Sequence, residues 1–414
     1  MKSLVLFEDE GYARFLPLTY WRTVFELRVG RFLQIDRIAR RLGGPIQGVW
    51  TREWMARVAA QRCGVPVNAP VPPGTVLVNG RWFVHDEQKF ATKPCIGTIG
   101  EDVAYVVCDK GLSERLSPSD FRNADRRTAA LRDVPTKPAS GTMLRYPWDI
   151  TSVLPDLLKE DWHPTEAAIE SALDSRVVTV DTDAIHIGAR TEIHPTVSID
   201  AAKGPVYISH DVRVGAYAAL EGPLYLGPGC TVNPHAWLHG GNAIGPVCKV
   251  GGEIHGCVLD GYSNKQHHGF LGHAYVGSWV NIGAGCCNSD LKNTYGTVRA
   301  AINGADIDTG VQFFGAVIGD HAKIGINASI PTGAVVGTVA SVSGGRMIPK
   351  FVPSFAWMTG DGITPGDRIA SGDPRKLLDT ARAAMARRKI DITDVEAELF
   401  LGLRDIAARY EPQP

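Results

Sequence analysis

Residues able to do chemistry concentrate in one stretch of the chain. Glu253-Ile254-His255 is followed by Asn264-Lys265-Gln266-His267-His268-Gly269-Phe270-Leu271-Gly272-His273, then by Asn281-Ile282-Gly283-Ala284-Gly285 and Asn288-Ser289-Asp290-Leu291-Lys292-Asn293. Of 12 histidines, six (His235, His239, His255, His267, His268 and His273) fall within 39 residues. An imidazole, whose ordinary pKa lies near neutrality, can take a proton as a general base or ligate zinc. Zinc catalysis needs three such ligands and an open position for water. His268 and His273 are five residues apart, a spacing that by itself is a weak signal. Lys265 is a local cation for a phosphate. No motif places a base beside Cys286 or Cys287, so both read as small packing residues.

The elements that must position these residues follow an unusual period. Ile187, Ile193 and Ile199, then Val206 and Val212, then Leu220, Leu226, Val232, Leu238, Ile244 and Val250 recur every sixth residue. The spacing returns at Val276 and Ile282, and again at Ile318, Ile324, Ile330, Val336, Val342 and Ile348. Six is neither the period of a strand nor that of an α-helix; it is the signature of a parallel β-helix, in which each short side turns one aliphatic inward and stacked coils share a core. Two segments, 254–271 and 283–317, break the period and are predicted to project as loops, where sites reside.

Before the repeats, strands at 3–7, 46–50, 75–84 and 103–108 alternate with helices at 31–42 and up to Ala60, which predicts an open α/β sheet. Residues 134–152 carry little periodicity. The expected organisation is therefore an α/β domain over 1–165, a β-helix over 181–352 and an extension over 353–414. Two helices are expected in that extension, at 374–389 and 392–410, to cap the β-stack or join subunits.

The strings resemble the family of bifunctional N-acetylglucosamine-1-phosphate uridyltransferases and glucosamine-1-phosphate acetyltransferases, whose second half is a left-handed β-helix. That family's His-x-x-x-Leu-Gly, Asn-Ile-Gly-Ala-Gly and preceding Glu match His267–Gly272, Asn281–Gly285 and Glu253. The runs Ser263–His267 and Asn288–Asn293 are closer to a divergent branch of sugar nucleotidyltransferases. The resemblance implies acyl transfer from acetyl-CoA, or another acyl-CoA, to an amino-sugar phosphate. His267 would be the base and Glu253 would orient its imidazole. His255, Lys265, Asn281, Asn288 and Lys292 would hold the substrate, and the amides of Gly283, Ala284 and Gly285 the oxyanion. It also implies a homotrimer. The chain departs from the family where Phe270 replaces a Tyr, His255 a Lys, and Trp237 and His239 two arginines. Either the acceptor then differs from the family's, or its phosphate falls to Lys265 and Lys292.

At the amino terminus, Ser3–Phe7 leads into Glu8-Asp9-Glu10-Gly11-Tyr12-Ala13-Arg14-Phe15-Leu16-Pro17-Leu18-Thr19. The Gly-x-Arg and Pro-Leu-Thr strings of sugar nucleotidyltransferases survive here as Arg14 and Pro17-Leu18-Thr19, without the phosphate-binding glycines. Two readings follow. Arg14, Thr19, Arg22 and Arg28 grip a nucleoside triphosphate with Mg2+ in a remodelled loop, or the domain keeps the fold without the reaction. A non-catalytic sugar-nucleotide-binding protein or trimeric scaffold, or a zinc enzyme similar to the gamma-class carbonic anhydrases, is the alternative for the whole chain.

With 43 Lys plus Arg against 44 Asp plus Glu, no broad basic face is available for nucleic acid. No apolar stretch approaches the ~20 residues of a membrane span. Eight cysteines without a CxxC read as reduced thiols, and a cytoplasmic location is expected.

Overall fold

A computed structural model describes residues 3–85, 88–358, 369–371 and 373–412, so part of the expected 353–414 extension lies outside the described residues. The chain divides into two compact units. The first comprises 1–15, 19–146 and 393–400. Its six-stranded sheet runs in the order Ile46–Trp50, Leu4–Phe7, Val76–Asn79, Asp102–Val107, Cys95–Ile99, Thr136–Pro138. Leu4–Phe7 is apolar at every position and buried throughout, as a strand with parallel neighbours on both sides must be. Helices Gln34–Leu42 and Glu53–Cys63 each stop at a glycine, Gly43 (φ 67) and Gly64 (φ 64), in the left-handed conformation that closes a helix. The expected strand 75–84 is divided: Val76–Asn79 joins this sheet, whereas Trp82–Phe83 pairs with Thr142–Met143.

The first unit's longest run of chain ends at Tyr146. Helices Pro147–Thr151 and Leu154–Glu160 cluster with the second unit, where the Trp148 ring meets Phe314 edge-on at 5.5 Å. At the other end, Thr393–Phe400, which include the start of helix Asp394–Ala407, return to the first unit. There Glu396 pairs with Arg62 at 2.9 Å and Phe400 packs edge-on against Trp21.

The second unit is a parallel β-helix whose strands form three long faces, of ten, six and ten strands. The first face runs from Ala168–Ile169 to Phe351–Val352 and the second from Val178–Val180 to Phe270–Gly272. The third runs from Glu192–Ile193 to Ile369–Ser371, and only its last pairing, Ala356–Met358 with Ile369–Ser371, is antiparallel. Inward residues such as Ile187, Leu220, Ile254 and Ile324 form one continuous core.

Only one of the two expected loops projects. Residues 254–271 stay in the coil, contributing Val258–Leu259, Asn264–Lys265 and Phe270–Gly272 to the three faces in turn. The period fails there because corners shorten and because Lys265 occupies an inward position beside Val250. The second interruption does leave the coil after Cys287–Asn288 and carries the hairpin Arg299–Ile302/Ala305–Asp308.

Candidate functional site

On the second face, residues on either side of each inward aliphatic point outward, and coils roughly 17 residues long stack them. Strands Trp237–Leu238, Glu253–His255 and Phe270–Gly272 lie in register. This aligns Trp237, His239, His255, His273 and Phe313 in a stripe of rings with successive centroids 4.1, 5.1, 4.9 and 5.4 Å apart. Trp237 and Phe313 are exposed at the two ends. Carboxylates flank the stripe: His239 Nε2 lies 3.2 Å from Glu253 Oε1 and His239 Nδ1 3.5 Å from Glu221 Oε2. At the far end His273 Nδ1 lies 2.8 Å from Asp290 Oδ2. Burial, reinforced by the neighbouring His273 and His239, holds the His255 imidazole below its usual pKa, which keeps it neutral near pH 7.

The residues expected to act together are separated. His267 is exposed on the corner between the third and second faces, and among the described residues no hydrogen bond or ion pair joins it to Glu253, which is engaged by His239. Lys265 cannot meet a phosphate. It is 1% exposed, and its amine donates to the carbonyls of Gly251 (3.1 Å) and His267 (2.6 Å). Burial lowers its pKa. Asn288 is likewise an inward residue, 4% exposed, whose amide accepts from Gly272 N–H at 2.7 Å and donates to Gly272 C=O at 2.8 Å. It ties coils together and does not face a substrate.

The expected oxyanion amides are mostly spent. Gly283 N–H donates to Ile324 and Gly285 N–H to His268, which leaves Ala284 as the only amide of the three without a backbone partner among the described residues. Gly285 is required by the corner itself: its φ is 73° and an added Cβ would lie 2.1 Å from Asn327 Oδ1. Asn281 faces outward on the third face, away from the stripe, and lines a cavity with Asn264 and Lys323. Lys292 remains at the surface. With Arg299 and Lys350 it lines a cavity of about 410 Å³ that starts at Ser289, adjacent in the chain to Asp290. Its amine donates to Thr297 C=O, while Asp306 is shared by Arg299 and Lys350.

Within the single chain, among the described residues, no three His, Cys, Asp or Glu side chains converge as a metal-ligand set. The sequence reading named His239 and His273 only among the candidate zinc histidines and gave Asp290 no role. The available signal was the spacing of His239, His255 and His273, 16 and 18 residues, close to one coil.

In the first unit the carboxyl end of Leu4–Phe7 is filled by ion pairs. Arg81 grips Asp9 through Nε (2.7 Å) and a terminal nitrogen (2.5 Å), and also reaches Asp102 at 2.8 Å. Asn79 donates to Asp9, and Arg52 lies 2.5 Å from Glu8 Oε1. Burial alone would raise the Asp9 pKa, but the charge and hydrogen bonds of Arg81 outweigh it and the pKa is lowered. The four expected nucleotide ligands are largely engaged within the unit. Thr19 is fully buried and bonds Tyr12 C=O. Arg22 and Arg28 are buried at 7%, with Arg28 donating to Arg31 C=O, and Arg14 lies over the Tyr146 ring.

Residues 4–168 match the model of a family described as sugar nucleotidyl transferase. That region is a sugar nucleotidyl transferase domain. The chain is also 30% identical over 95 residues to a bifunctional sugar-1-phosphate nucleotidylyltransferase/acetyltransferase of Sulfurisphaera tokodaii, a match covering 23% of each. It is 30% identical over 98 residues to the bifunctional protein GlmU of Methanococcus vannielii, covering 24% of this chain and 23% of that protein. It is 33% identical over 110 residues to GlmU of Streptococcus pyogenes serotype M5, covering 26% and 20%. The matched stretch thus spans about a quarter or less of these relatives. In this chain the matched region is followed by the parallel β-helix. At the carboxyl end of Leu4–Phe7, Glu8 and Asp9 are paired with Arg52 and Arg81 and are not free carboxylates for a metal ion.

Proposed function

We propose that the β-helix unit transfers an acyl group from an acyl-CoA to the nitrogen of an amino-sugar phosphate. The observation that carries this reading is the His273–Asp290 pair, an imidazole whose Nδ1 is held by a carboxylate at 2.8 Å at the end of an open stripe of rings. The carboxylate fixes the tautomer that leaves Nε2 free to accept a proton. As the amine attacks the thioester carbonyl, a C–N bond forms, Nε2 takes the ammonium proton, and the C–S bond breaks. The proton then passes to the departing thiolate. The cavity lined by Lys292, Arg299 and Lys350, next in the chain to Asp290, supports a phosphate on the acceptor. His267, with the Ala284 amide on its corner, is the competing base.

The names of the relatives support acyl transfer, and the ion pairs that fill the first unit support a nucleotidyl transferase domain without metal–triphosphate chemistry. The proposed assembly is a homotrimer, testable by analytical ultracentrifugation, and the proposed location is the cytoplasm. Among the described residues no helix is long and apolar enough to cross a membrane. The test of the reaction is thiol release from acetyl-CoA, screened over amino-sugar 1-phosphates. Activity lost in His273→Ala and kept in His267→Ala supports the dyad. The reverse pattern transfers the role to His267, and no release with any acceptor overturns acyl transfer.

A further inference from the structure

The third face of the β-helix carries a second candidate site, separate from the stripe of imidazoles. A cavity of about 260 Å³ lies between this face and the end of helix Pro374–Ala386, lined among others by Asn264, Asn281, Lys323, Arg387 and Arg388. Three lining residues are cationic and none is acidic. Among the described residues none of the three cations forms an ion pair, whereas arginines elsewhere on the unit, such as Arg190 with Asp211 and Arg213 with Glu192, are matched.

Lys323 points outward from its strand, between Asn281 and Ser341. Its amine is held by two carbonyls, of Trp279 at 2.7 Å and His321 at 3.1 Å. Burial lowers its pKa to about 8, and among the described residues no carboxylate pairs with it. Arg388 donates to Asn264 Oδ1 at 3.0 Å, and its Nε is buried with no hydrogen-bond partner. A helix carboxyl end attracts cations, which accounts for Arg387 at the cap. It accounts neither for a withdrawn lysine nor for an orphaned guanidinium nitrogen. Buried donors left without partners are costly, and a fixed group of them is preorganised for an anion.

We propose that Lys323, Arg387 and Arg388, with the side-chain amides of Asn264 and Asn281, form a binding site for the phosphate group of a small molecule. Carbonyls fix the lysine, Asn264 orients one guanidinium, and the volume admits a phosphate with part of the group that bears it. Two sources share this chemistry, a sugar phosphate and a phosphorylated nucleotide. The site is read from its own cations and does not depend on the acyl-transfer reading.

The experiment is isothermal titration of the full chain with glucosamine 1-phosphate and, separately, adenosine 3′,5′-bisphosphate. Wild type is compared with Lys323→Met and with Arg387→Ala/Arg388→Ala, and circular dichroism monitors the fold of each. Saturable binding of either probe, weakened about ten-fold or more in both variants, supports the site and names its source by which probe binds. If neither probe binds at millimolar concentration, or if binding is unchanged in both variants, the proposal is overturned.

Discussion

Replacing Lys323 by Met tests the electrostatics of the second unit directly. The lysine's pKa falls from the ordinary 10.5 to about 8 because burial strips water from the ammonium. That drop corresponds to about 3 kcal/mol of penalty on the charged form at neutral pH. Methionine removes the penalty and keeps most of the side chain's volume, but leaves the carbonyls of Trp279 and His321 without their donor, a loss of about 1–3 kcal/mol. The net change at pH 7 is therefore small, between zero and about 2 kcal/mol of stabilisation. The sharper signature is the pH dependence. Between about pH 8 and 10.5 the unfolded chain binds the proton that the folded chain has released. Wild-type stability should therefore gain up to about 1.4 kcal/mol per pH unit in this window relative to the variant. Denaturant unfolding of both proteins from pH 7 to 10 measures this difference, and other titrating groups cancel in it. Parallel curves for the two proteins would mean that Lys323 carries no uncompensated charge, and would remove the electrostatic basis of the site.

Other perturbations bear on the remaining elements. Asp290→Asn should lower acyl transfer by about 10²- to 10⁴-fold while leaving the melting temperature within a few degrees, because it removes the orienting acceptor of His273 and not a core contact; a normal rate would exclude the dyad. Asn288→Ala should destabilise the second unit by about 2–4 kcal/mol in denaturant unfolding, since Gly272 loses partners for both its N–H and its C=O. Arg81→Met should cost the first unit about 3–5 kcal/mol by stranding the Asp9 carboxylate. In wild type, the Asp9 contribution is present above the ordinary carboxylate pKa and is lost as pH falls through the lowered folded value. Acid unfolding of this variant should therefore show a weaker pH dependence than wild type, and an unchanged acid transition would refute that assignment.

How much was legible follows from how local each signal is. The six-residue spacing from Ile187 to Val250 announces the β-helix because every coil repeats the same demand, one aliphatic turned inward per side. The same logic misleads where a polar residue takes the inward place. Lys265 and Asn288 look like loop residues with chemistry, yet both are buried and bond backbone groups of the coil.

Glu253 lies 14 positions from both His239 and His267, and the path of the coil decides between them. Glu253 meets His239, and His273 meets Asp290, 17 positions away. The partners of Glu8 and Asp9 lie further still, at Arg52 and Arg81; no local motif reveals that they fill the end of Leu4–Phe7. The sequence alone determined the two-part architecture, because its periods are intrinsic to short segments. Tertiary structure decided which imidazole acquired a carboxylate and which cations were left without one. Such pairings depend on the coil-to-coil register and on the return of the chain's last helices, and neither is encoded in any single stretch.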